Sequence, residues 1–161
     1  MLQGGEGGVG VAAHPGREQP QQRPGPALHV SPLHHPDAVW KMWTDVAGWP
    51  DWDVSKEIAQ LDGPFEPGTR GWAKQRGNLG GSFTITVVDP GRRWVTECPV
   101  PLGTVTFSHL LEPAGPGSVR LVKRADVHGG SGPLLRLLAP RMRRDTAASF
   151  TALQQRVSHQ L

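Results

Sequence analysis

Between residues 54 and 128 the chain is cut by turn-forming clusters, DGPFEPG (62–68), GNLGG (77–81), DPG (89–91), PLG (101–103) and PAGPG (113–117), into short runs of alternating apolar and polar residues. Proline and glycine at these places supply the fixed and positive φ angles that chain reversals need. Regular runs with such short connections predict an antiparallel meander of about six strands.

The flanks of the meander carry the helical period. Before it, ALHVS (27–31) reads as a short strand, after which Pro36 suits a first helical position, with His35 where a cap would stand and Asp37 at the positive end. Val39, Met42, Trp43 and Val46 then share one helical face that Gly48 closes, and Trp49-Pro50 opens a second short helix or turn. After the meander, Leu135, Leu138, Met142, Thr146, Phe150, Leu153, Val157 and Leu161 step by three and four along a stripe about seven turns long. Pro140 interrupts that stripe, which predicts a short helix, a kink, and the main helix from about 141. The fold class is α+β.

Residues 1–27 are Gly, Pro, Gln and Ala with almost no large apolar side chains, a composition that cannot offset its ordering entropy, so a disordered tail precedes a single domain at 28–161. The formal GxGxxG at Gly5–Gly10 has no strand before it or helix after it and is not a phosphate loop. The net charge of +3 argues for no particular partner. Five arginines (136, 141, 143, 144, 156) against one acid, Asp145, in the last thirty residues read first as a solvated helix face, and no aromatic interleaving points to nucleic acid. A single cysteine, Cys98, excludes an intrachain disulfide and fits a reducing compartment; with no long apolar stretch and no leader pattern, the expectation is a cytoplasmic protein without stable membrane insertion. His34-His35 are adjacent and diverge, no CxxC, HExxH or HxH occurs, and neither a metal nor another cofactor is expected.

Pro36, Val39-Trp40, Asp45, Trp49-Pro50, Trp52-Asp53, Leu61-Asp62-Gly63-Pro64-Phe65, Gly68-Thr69, Asp89-Pro90-Gly91-Arg92 and Phe107-Ser108-His109-Leu110-Leu111-Glu112-Pro113 together resemble the START-like (SRPBCC) helix-grip superfamily, in particular its bacterial polyketide cyclase/dehydrase-type branch. The resemblance covers residues 28–161, and Pro140 departs from the pattern. It implies a curved antiparallel sheet wrapped around a long C-terminal helix, two short helices after the first strand, and a cavity between sheet and helix for an apolar or polycyclic ligand. The superfamily's activities are diverse, so the fold does not choose among them.

Strand alternation assigns the side chains that face such a cavity. Val105, Phe107, His109 and Leu111 form one inward face, and Val119, Leu121, Lys123, Ala125 and Val127 another, which makes His109 and Lys123 cross-strand neighbours. Phe83, Ile85 and Val87 face in on a third strand, and Trp94, Thr96 and Cys98 on a fourth. In TRGWAKQR the phase is open; if Trp72 points in, so does Lys74. A buried ammonium is costly unless an acid, water or an anionic ligand lies beside it, and no carboxylate falls on these faces. Trp43 reads as core, Trp40 as packing on the sheet or lining a mouth, and Trp49 and Trp52 as packing the small helices onto the sheet end, with an aromatic-ligand contact the alternative.

Candidate ligand contacts are therefore Trp40, Trp52, Trp72, Lys74, Phe83, Ile85, Trp94, Phe107, His109, Lys123 and Met142. The first functional reading is a binding protein for a small hydrophobic, aromatic or polyketide-like molecule. The second is a cyclase or dehydratase in which His109 acts as general acid or base and Lys123 stabilises enolate charge. A third is a carrier that meets a membrane through the Arg141–Arg144 face. The oligomeric state is left open.

Overall fold

Each run of the meander is a strand paired with the next. The computed structural model describes residues 27–159, with backbone alone for 28–33. Strands β2 (Lys56–Leu61), β3 (Arg70–Gln75), β4 (Gly81–Asp89), β5 (Arg93–Val100), β6 (Gly103–Gly115) and β7 (Ser118–Gly129) follow one another across an antiparallel sheet, and β1 (Ala27–His34) adds to its far edge beside β7. Helix α1 (Pro36–Thr44), a 3-10 helix (Val46–Asp51) and the long α2 (Gly132–His159) complete the helix-grip architecture. Helix α2 packs against β1, β7 and α1.

α1 begins at Pro36 as expected, but His35 adopts a left-handed conformation (φ 70°) and makes no side-chain cap. The helix also stops earlier than the apolar stripe implies. The Asp45 carboxylate accepts from the Gly48 N–H at 3.3 Å, capping a tighter 3-10 turn that carries Val46 away from α1. That turn wedges Trp49 into the core. Its indole N–H donates to the Trp43 carbonyl at 2.9 Å, and its ring stacks on Phe83 (5.7 Å) and Trp94 (5.4 Å). Trp43 has no exposed surface and sits at the centre of the core with Val39, Ile85, Leu121 and Leu153.

Two phases differ from simple alternation. β4 carries one extra residue between Ile85 and Val87, so Ile85 pairs with Thr96 but Val87 pairs with Val95. A bulge of this kind flips everything beyond it, and Val88, not Val87, packs on the core. On β3 the inward residue is Gly71: a Cβ there would collide with the Phe83 ring and lie 2.7 Å from the Gln60 carbonyl. Trp72 and Lys74 consequently point to the outer face.

α2 is one continuous helix from Gly132 to His159 with Pro140 inside it, where a short helix and a kink before the main helix were expected. A proline removes the bond to the carbonyl four residues back, here Arg136. Arg136, Leu137, Pro140 and Arg141 are exposed, so this carbonyl lies where water reaches it and the ring has space. Further on, Thr146, Phe150, Leu153 and Val157 are buried as the stripe requires. The tail's GxGxxG and Leu161 lie outside the described residues.

Candidate functional site

A cavity of about 570 Å³ lies between the sheet and α2, within the size range of small-molecule sites. Its exposed lining residues include Asn78 and Leu79 from the β3–β4 turn, Pro101 from the β5–β6 turn, and Leu138 and Arg141 from α2, which places the mouth there. Arg141 spans it, donating from Nη2 to the Arg76 carbonyl at 3.2 Å. The mouth carries leucines in water: Leu79 is 95% exposed and Leu138 40%.

Of the side chains assigned to the cavity from sequence, Trp52, Phe83, Trp94, Phe107, His109, Lys123 and Met142 line it. Four do not. Trp40 packs edge-on against Trp43 and Phe65, and Ile85 is sealed in the core. Trp72 borders a hollow on the outer face with Arg70 and Gln60, and Lys74 pairs there with Glu57 at 2.9 Å.

His109 and Lys123 are register partners on β6 and β7, and Trp94 on β5 is the partner of His109 on its other side. The imidazole lies flat on the Trp94 indole (centroids 3.9 Å, 1° between planes) with Trp43 edge-on at 5.9 Å. Its Nδ1 is buried and has no hydrogen-bond partner among the described residues. Burial, with the charges of Lys123 and Lys56, holds its pKa well below the ordinary 6.5, so His109 is a neutral ring at physiological pH. Cys98 also lines the cavity; burial raises its pKa, which leaves an unreactive thiol.

The carboxylate absent from the strand faces comes from elsewhere. Asp53, 7% exposed, follows the 3-10 helix and turns its side chain inward. Its Oδ1 accepts from the Ser55 N–H (3.0 Å), Ser55 Oγ (2.7 Å) and Ser149 Oγ on α2 (2.8 Å). Burial alone would raise this carboxyl; the charges of Lys56 and Lys123 and the bonds from Ser55 and Ser149 outweigh it and hold the pKa below 3.8. Lys123 responds in the opposite sense. Burial pushes its ammonium down to about 8, Asp53 pulling it back and Lys56 pushing it further. Nζ sits 5.3 Å over the Phe107 ring and has no ion pair within 4 Å among the described residues. The floor thus brings together the Asp53 carboxylate, a weakened ammonium and a neutral imidazole, while Lys56 and the Arg141–Asp145 pair (3.6 Å) add further charge to the lining.

Sequence reasoning missed Asp53, Lys56 and Ser149. A signal existed for Ser149: with Thr146 it places two hydroxyls on the inward face of an otherwise apolar helix. Asp53 gave only its spacing to Ser55, the pattern of a local side-chain turn.

The family model described as "Polyketide cyclase / dehydrase and lipid transport" matches residues 34–158. No curated protein matches the sequence. Among solved structures, norcoclaurine synthase from Thalictrum flavum, in complex with dopamine and hydroxybenzaldehyde, superposes with a TM-score of 0.63 at 16% identity over 81% of this chain and 84% of its own. The di-domain ARO/CYC BexL from the BE-7585A biosynthetic pathway gives 0.62 at 17% identity, over 81% of this chain and 45% of its own. A START superfamily protein from Mycobacterium smegmatis gives 0.61 at 17%, over 83% and 97%. At these identities the likeness is one of fold. No helix among the described residues is long and apolar enough to cross a membrane.

Proposed function

Because the chain belongs to the polyketide cyclase/dehydrase and lipid transport family, we propose that it binds a small, flat, largely apolar molecule with one polar end in the cavity between sheet and α2. The observation that carries this reading is the pairing of aromatic walls, Trp52, Phe83, Trp94 and Phe107, with a single charged floor at Lys123 and Asp53. The walls would take an aromatic ring system, and Lys123, with no direct counter-ion, would take a carboxylate, phenolate or enolate oxygen. Tryptophan fluorescence reports occupancy, since Trp52 and Trp94 are in the walls. Titration with 2-naphthol and 2-naphthoate should quench saturably, and naphthoate should lose about tenfold in affinity, about 1.4 kcal/mol, in Lys123→Met. Quenching that never saturates would remove the pocket from consideration.

A cyclase or dehydratase is the second reading, favoured by the convergence of Asp53, Lys123 and His109 in one cavity. In that reaction Lys123 would hold enolate charge while the walls enforce a folded substrate. His109, held neutral, would accept a proton or a hydrogen bond but would not serve as a charged acid. Turnover of an aromatic β-diketone that survives in Lys123→Met would discard this assignment.

A further inference from the structure

We propose that Lys123 is also a nucleophile, and that it captures an aromatic aldehyde or ketone entering the cavity as a reversible imine. The inference rests on the pocket reading above and narrows its ligand class to carbonyl compounds.

The position of the amine supports it. Lys123 projects from the middle of β7 into the cavity, across the register from His109, with its end over the face of Phe107 and not against an acid. Asp53 is close enough to influence Lys123 electrostatically, yet its Oδ1 is already occupied by three donors and it forms no ion pair with Lys123. Lys56, a second cation on the cavity wall, opposes protonation of Lys123, the arrangement by which an amine is made available as a nucleophile. With a proton affinity near pH 8, about a tenth of the amine is free at pH 7, against about three parts in ten thousand for an ordinary lysine. The aromatic walls then hold an aryl carbonyl with its ring against Phe107 and its carbonyl toward the floor.

The step balances without an oxidant or reductant. The Nζ lone pair adds to the carbonyl carbon as the C–O π bond opens, and a proton passes from nitrogen to oxygen, giving a carbinolamine. The C–O single bond then breaks, the oxygen leaving as water with a proton from solvent or the Lys56 ammonium, and C=N forms. The transient iminium has the Asp53 carboxylate as its counter-charge, and its N–H proton returns to solvent or Lys56. The net change is amine plus carbonyl to imine plus water.

The chain has four lysines, at 41, 56, 74 and 123, so the site of capture is read directly by peptide mapping. Wild-type protein is incubated with 2-naphthaldehyde at pH 7, reduced with cyanoborohydride, digested and mapped, with 2-naphthol binding measured in parallel. The expected result is an adduct on Lys123 forming about a hundred times faster than on Lys41 or Lys74, slowing about tenfold per unit as pH falls below 8. Lys123→Arg, which keeps the cation but not the nucleophile, should lose the adduct. Adducts on the other lysines with Lys123 unmodified, while 2-naphthol still binds, would overturn the imine and leave the pocket reading standing. Failure of both the adduct and 2-naphthol binding would overturn both.

Discussion

Replacing Lys123 with methionine should make the protein more stable at neutral pH, and by an amount that depends on pH in a defined direction. The folded chain holds the Lys123 proton only up to about pH 8, whereas the unfolded chain holds it to its ordinary 10.5. At about 1.4 kcal/mol for each tenfold change in proton affinity, folding at pH 7 carries a penalty of about 3 kcal/mol. Methionine removes it and conserves most of the stem's packing; the attraction to Asp53 is already contained in the proton affinity near pH 8, so only the imperfect fit of the thioether is set against the gain. A net gain of about 2 kcal/mol at pH 7 is expected, or a rise in Tm of about 4–8 °C for a chain of this size. The sign follows from linkage. Between pH 8 and 10.5 the unfolded state binds the extra proton, so wild-type stability rises with pH through that window and the advantage of methionine shrinks. By pH 9.5 the penalty has fallen by about 2 kcal/mol, so the advantage of methionine should have nearly vanished. Urea titration of both proteins at pH 7 and pH 9.5 measures this. A destabilised variant, or a gain equal at the two pH values, would refute the placement of a desolvated ammonium at this site.

Asp53→Asn should act in the reverse sense, costing about 3 kcal/mol at pH 7, because it leaves Lys123 and Lys56 without their nearest buried negative charge. Since the folded carboxyl titrates below its ordinary value, its contribution is present at neutral pH and is lost as pH falls through the folded pKa, so the gap between the two proteins should narrow in urea titrations run at acid pH. His109→Phe preserves a ring against Trp94 and removes an unpaired buried nitrogen, and should change stability by less than about 1 kcal/mol at pH 7.5. Below pH 6.5 the unfolded wild type takes up a proton that the folded ring refuses, so the phenylalanine variant should gain on it in thermal melts run at pH 5.

The meander, the closing helix and the inward faces of β5, β6 and the cavity end of β7 were legible because each depends on local periodicity and turn chemistry. Trp94, Phe107, His109 and Lys123 share the cavity because side chains alternate along strands and neighbouring strands hold register. What escaped the sequence depends on irregularity or distance. The bulge that exchanges Val87 for Val88 has no residue signature, and the phase of β3 is set by Gly71 having to clear Phe83 on the neighbouring strand. Asp53 lies outside every periodic element, and the bond that fixes it comes from Ser149, 96 residues away. The floor of the site is therefore assembled by tertiary contacts between segments that say little alone. Pro140 taught the converse: a strong local breaker is tolerated where its lost bond opens onto water.

Setting β1 beside β7 has a consequence for how the molecule comes into being. Among the described residues every other ladder joins neighbours in sequence, but Ala27 finds its partner in Arg124, 97 residues on. During synthesis the first strand leaves the ribosome with nothing to pair with until the seventh has followed, and α2, which packs on both, emerges last. Long-range closure of this kind is slow compared with hairpin formation. Until it happens the facing edges of β1 and β7 are unpaired templates for other chains, and the cavity has no back wall. Expression conditions that slow encounters between nascent chains should therefore raise the yield of folded protein more than stabilising the hairpins would.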